Sequence, residues 1–164
     1  ADIAAERFDA GVRLGESLEK DMIAVRIAPD DRLLAVGSPS YFDRHPRPQT
    51  PRDLTAHSCI NLRLATRGGL YSWKFEKDGA PLRVTVEGQL VFNTIKPMVE
   101  AARAGFGIAF VPESCLHDHL ASGALVQVLD DWCPPFSGFH LYYPSRRQQS
   151  SAFEIVMNAL RHRV

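Results

Sequence analysis

The sequence predicts an α/β protein folded as two lobes, and three observations carry that prediction. Strand-like and helix-like segments alternate along most of the chain. The stretch from Gly88 to Ser114, GQLVFNTIKPMVEAARAGFGIAFVPES, reads as strand, helix, strand. A hairpin in the middle of the chain stands between two turn-rich regions, near residues 65–69 and 132–138, which are placed as the two crossings of a hinge would be. A ligand would then lie between the lobes, where strand ends and helix N-termini converge.

The central unit is the best defined. Asn93 and Thr94 can cap a helix, and Ile95, Met98, Val99 and Ala102 fall on one helical face before Gly105 stops it. GIAFV is then a short apolar run closed by Pro112, the pattern of a buried parallel strand. A helix that begins at the carboxyl end of a strand offers free N–H groups and the positive end of its dipole, so a small anion or carbonyl can dock near Asn93 and Thr94. The alternative reading of the same residues is a cap that merely satisfies a helix end.

The flanking elements follow from the same rules. Residues 1–10 set Ile3, Ala4 and Phe8 apart from Asp2, Glu6, Arg7 and Asp9, the pattern of the tail of an amphipathic helix. It opens abruptly before the short strand AGVRLG, so an upstream strand and helix are expected to be missing. MIAVRI alternates as a strand, Pro29-Asp30-Asp31 turns, and RLLAVG is a buried strand. Ser38-Pro39 opens a short helix that His45-Pro46 and Arg47-Pro48 must end, residues 51–56 form another, and INLRLA is a strand. YSWKFE and LRVTVEG pair across Asp78-Gly79 as a hairpin, with Trp73 and Phe75 on one face. Residues 112–120 read as helical, 124–129 as a strand, 130–137 as a proline-rich loop and FHLYY as the last strand. Ser150 or Ser151 caps a final helix with Phe153, Val156, Met157 and Leu160 on its apolar stripe.

Composition narrows the function classes. A chain of 164 residues is long enough for one domain or two small lobes, and its 19 basic side chains balance 19 acidic ones. No basic field points to nucleic acid, and nothing approaches a transmembrane run or a signal peptide. Cys59, Cys115 and Cys133 are odd in number and widely spaced, as expected of reduced thiols in the cytoplasm. Gly105 and Gly107 follow a helix, the wrong place for a phosphate-binding loop, so no cofactor is expected. Cys115, His117 and His119 make only a mild metal signal, and His57-Ser58-Cys59 lacks a nucleophile elbow. Neither a metal site nor catalysis is expected.

The ordered segments RFDAGVRLG, RLLAVGSPSYFDRHPRPQTPRDLTAHSCI, WKFEKDG, AARAGFGIAFVP, LVQVLDDW and LYYPSRR resemble the effector-binding domain of LysR-type transcriptional regulators over nearly the whole chain. The resemblance implies a two-lobed, periplasmic-binding-protein-like (type II) fold with Rossmann-like subdomains. The first lobe is expected over residues 1–64 and 138–164, incomplete at its start, and the second over 65–137. A small effector, often an organic or aromatic acid, would sit in the cleft and change how a homodimer or homotetramer holds promoter DNA through a helix-turn-helix absent here. By residue, the resemblance places the effector near Arg63, Asn93, Thr94, Val111 and Pro112. Arg63 suits bidentate pairing with a carboxylate, and equally an ordinary solvated charge. A free solute-binding protein of the same fold is the alternative, with a Cys/His hydrolase third.

Overall fold

The computed structural model describes residues 8–14, 22–63, 69–145 and 150–162, so most of the helix expected over residues 1–10 lies outside the described residues. The chain divides into two compact units, Ala1–Asp31 with Pro135–Val164, and Arg32–Pro134. These bounds differ from the expected lobes, 1–64 with 138–164 and 65–137. The second crossing falls inside the proline-rich region near residues 132–138, but the first falls at Asp31 and not near residues 65–69. The reason is strand pairing: the strands on both sides of residues 38–58 hydrogen-bond to the strand of the central unit, which groups residues 32–63 with it.

In the first unit, β1 (Gly11–Leu14) and β2 (Met22–Arg26) flank β10 (Phe139–Pro144) in an antiparallel sheet of order β1-β10-β2. Leu141 and Tyr143 of β10 pack with Met157 of α4 (Ser151–Leu160), and the Tyr143 and Phe153 rings meet edge to face at 5.2 Å. Ser150 caps α4 as expected, accepting from the Phe153 N–H at 3.2 Å. The apolar stripe is only partly covered, because Val156 is 53% and Leu160 45% exposed.

The second unit is a mixed five-stranded sheet of order β7-β4-β8-β3-β9, built from β3 (Leu33–Gly37), β4 (Cys59–Leu62), β7 (Val91–Phe92), β8 (Ile108–Pro112) and β9 (Val126–Val128). β8 runs parallel to β4 and antiparallel to β3, and β4 is parallel to β7. Burial on both faces explains the unbroken apolar reading of β3 and β8. One cover is α2 (Ile95–Arg103), which buries Met98, Val99 and Ala102 of the expected face together with Ala101, while Ile95 is only partly buried. Another is the hairpin of β5 (Trp73–Lys77) and β6 (Ala80–Val84), whose turn places Asp78 at φ 52° and Gly79 at φ 76°. Trp73 is fully buried, stacks on Phe110 of β8 at 5.2 Å and donates its indole N–H to Asn61 Oδ1 at 3.2 Å.

Local caps shape the turns between strands. Ser38 caps α1 (Pro39–Phe42) by accepting from the Tyr41 N–H, and the 3-10 turn Pro51–Ala56 starts with a Thr50/Asp53 capping box. The region after Pro112 is a 3-10 turn, Glu113–Cys115, followed by α3 (His117–Ala121), and the proline-rich loop holds another 3-10 turn, Asp130–Trp132.

Candidate functional site

The parallel strands of the second unit bring the predicted residues to one sheet edge. Leu62 pairs with Phe92, and Ile60 with Ala109. Carried forward, that register sets Asn93 and Arg63, just past the carboxyl ends of β7 and β4, in a row with Pro112, the last residue of β8. The Arg63 N–H donates to the Phe92 carbonyl at 2.7 Å, which locks this row at its β4–β7 side. Arg63, Asn93 and Thr94 are exposed and Pro112 is half-buried. Val111 is 0% exposed, so its side chain belongs to the core and offers nothing to solvent.

α2 begins at this edge. Thr94 occupies the cap position with extended backbone, φ −143° and ψ 158°, yet its side chain makes no capping hydrogen bond. The expected cap is thus present in position but not in bonding. Pro97, third in the helix, has no N–H to satisfy, so the outward donors of the first turn come from Ile95 and Lys96. Free N–H groups, the positive end of the helix dipole and the Arg63 cation favour an anionic or carbonyl oxygen at this edge.

An ion network buttresses the same edge. Arg32, just before β3, holds Glu113, just after β8, through two bonds of 2.7 and 3.0 Å, and reaches Asp130 at 3.0 Å. The Glu113 N–H also donates to the Arg32 carbonyl at 2.9 Å. Hydrogen bonding to the guanidinium holds the Glu113 carboxyl below its ordinary range and drives the Arg32 pKa up. Nothing in the sequence pattern singled out this trio, because its members lie 81 and 98 positions apart.

The other chemistry-bearing motifs fold away from reactivity. The Cys59 thiol is buried, donates weakly to the Leu54 carbonyl at 3.7 Å, and burial pushes its pKa up to about 12. Its neighbour His57 bonds the Tyr41 hydroxyl at 3.0 Å through Nδ1, so the His57-Ser58-Cys59 triplet contains no thiol–imidazole pair. Cys115 is exposed, and among the described residues no group of three or more His, Cys, Asp or Glu side chains is placed to hold a metal ion. No helix among the described residues is long and apolar enough to cross a membrane.

Residues 1–164 match the family model of the LysR substrate binding domain. The chain belongs to that family. A Pseudomonas aeruginosa protein provisionally described as a transcriptional regulator is 53% identical over 98% of this chain, which covers 53% of the relative. The HTH-type transcriptional regulator PgrR of Escherichia coli is 43% identical over 99% of this chain and 54% of its own length. The chain therefore spans about half the length of these curated relatives. Among solved structures, full-length AphB of Vibrio cholerae superposes with a TM-score of 0.76 at 23% identity, covering 94% of this chain and 52% of that one. The regulatory domain of CrgA from Neisseria meningitidis gives 0.72 at 20%, covering 96% and 76%. The fold class is that of LysR regulatory domains, the periplasmic-binding-protein-like type II fold, and the expected family holds over the whole chain.

Proposed function

We propose that this LysR substrate-binding domain senses a small carboxylate-bearing effector, organic or aromatic, at the carboxyl edge of β4, β7 and β8. In a full-length regulator of the size of the relatives, its occupancy would alter how a cytoplasmic homodimer or homotetramer grips promoter DNA through a separate helix-turn-helix. The observation that carries this reading is the coincidence of the Arg63 cation with the uncapped start of α2 at one strand-end row. Both features favour negative charge, one as a bidentate partner and the other as a cluster of N–H donors.

The assignment is tested by thermal shift and calorimetry with benzoate, salicylate, succinate and their neutral amides. Stabilisation is expected from at least one acid and not from its amide, and Arg63→Ala is expected to abolish it. Acid binding that Arg63→Ala and Thr94→Val leave unchanged would place the effector elsewhere.

A further inference from the structure

A second recess lies in the same unit, away from the edge just described. A groove of about 650 Å³ runs along β4 and the chain leading into β7, and its polar lining is Thr55, His57, Ser58, Asn61, Glu87 and Gln89. Neither Arg63, Asn93, Thr94, Val111 nor Pro112 lines it. Asn61 is the unusual member. It sits between Ile60 and Leu62 in a buried strand and is only 5% exposed. Its Oδ1 accepts from two donors, the Leu62 N–H at 2.8 Å and the Trp73 indole N–H at 3.2 Å, which fixes the orientation of the amide. Its NH2 group has no hydrogen-bond partner among the described residues, and the residue borders the groove. No buried side-chain nitrogen or oxygen among the described residues lacks a partner, so the Asn61 NH2 meets solvent at the groove, where a ligand acceptor can take the place of water.

The neighbouring imidazole adds a second donor. The Tyr41 oxygen accepts from the Ser58 N–H at 3.1 Å, and the same hydroxyl bonds His57 Nδ1 at 3.0 Å. With the Tyr41 hydroxyl as donor in that bond, the ring proton of neutral His57 sits on Nε2. Burial, with His45 nearby, holds the His57 pKa below its ordinary value, so the ring is neutral at pH 7. Among the described residues no lysine or arginine lines the groove, whereas Glu87 does, and Leu70, Val86 and Val91 supply apolar wall. The described lining thus offers donors for a carbonyl oxygen, an acceptor for an N–H and no cation for a carboxylate.

We propose that this groove is a second small-molecule site, selective for a neutral carboxamide with a small apolar body, whose carbonyl oxygen accepts from Asn61 Nδ2 and His57 Nε2 and whose amide N–H donates to Glu87. The site is independent of the acid-binding edge.

The test is an NMR titration of the 15N-labelled chain with N-acetyl-L-leucinamide, with isovalerate as the carboxylate control. The Asn61 side-chain NH2 pair is expected to shift with saturation, together with the backbone amides of Ser58 and Gln89, while isovalerate leaves them in place. Asn61→Asp keeps the Oδ acceptor for Leu62 and Trp73 but removes the NH2, and amide affinity is expected to fall at least about tenfold. Absence of any shift at the Asn61 NH2 up to millimolar amide overturns the proposal, and equal shifts with isovalerate overturn its selectivity. These readouts on the unmutated chain decide the matter if Asn61→Asp fails to fold. Shifts confined to Arg63, Asn93 and Thr94 would overturn this site while supporting the effector edge.

Discussion

Gly107→Ala probes the contact that aligns the effector edge. Gly107 stands immediately before β8 with φ +150°, and a Cβ built on it would lie 2.2 Å from the Ser58 carbonyl oxygen and 2.9 Å from its carbon. That carbonyl accepts the Ile108 N–H at 3.0 Å, the bond next to the Cys59–Ile108 pair that starts the β4–β8 register. To bring the new Cβ to a tolerable distance the strands must part by roughly 1 Å, which takes the 3.0 Å bond out of hydrogen-bond range. Backbone strain at a conformation alanine rarely adopts costs about 1–3 kcal/mol. The lost bond adds about 1 kcal/mol. The expected destabilisation is therefore about 3 kcal/mol, a large share of the roughly 5–15 kcal/mol of a small domain. Gly79→Ala is the matched control: φ is +76° but nothing lies within 4 Å, so only the left-handed conformation is penalised, by about 1–2 kcal/mol. Urea unfolding followed by the fluorescence of Trp73 and Trp132, both in the second unit, measures the difference. Equal losses for the two variants would refute the close approach of β8 to the start of β4.

Three further outcomes follow from the site geometry. Thr94→Val is expected to weaken effector binding by about 1–2 kcal/mol through a lost hydrogen bond, with helix stability little changed because the hydroxyl caps nothing; calorimetry and thermal melts check both parts. In the native protein one thiol, Cys115, is expected to react rapidly with a thiol reagent, whereas Cys59 and Cys133, buried with pKa pushed up to about 12 and about 11, react only on unfolding. Because Arg32 depresses the folded-state pKa of Glu113, the stability that this pair supplies is complete above the ordinary carboxylate value of 4.5 and is lost as pH falls through the depressed one. Glu113→Gln is therefore expected to melt lower at neutral pH and to show a shallower loss in acid, a modest effect because both side chains are about one-third exposed.

Local chemistry was legible wherever one short stretch decides the outcome. The Ser38 and Ser150 caps, the Asp78-Gly79 turn and the apolar face of α2 all follow from residues within a few positions of each other. The row Arg63, Asn93, Pro112 came from a family resemblance, and its physical basis, three parallel strands in register, appears only when β4 is seen between β7 and β8. The boundary of the compact units was not legible, because a turn-rich stretch looks the same whether it crosses a hinge or leads into a hairpin. Strand pairing across more than 40 positions decides it, as between Ile60 and Ala109 of β8. Arg32 with Glu113 and Asp130, and Asn61 with Trp73, were missed for the same reason: ion pairs and buried amides join distant segments and leave no local period. For Asn61 a signal did exist, a lone amide inside an apolar strand.

Amide chemical-shift mapping with the first organic acid that raises the melting temperature bears most directly on the effector edge. Shifts are expected to concentrate on Arg63, Asn93, Thr94, Ile95, Lys96 and Glu113, and to vanish in Arg63→Ala. A saturable acid whose shifts spare all six, or persist unchanged in Arg63→Ala, would contradict the binding of effector at the strand ends of the second unit.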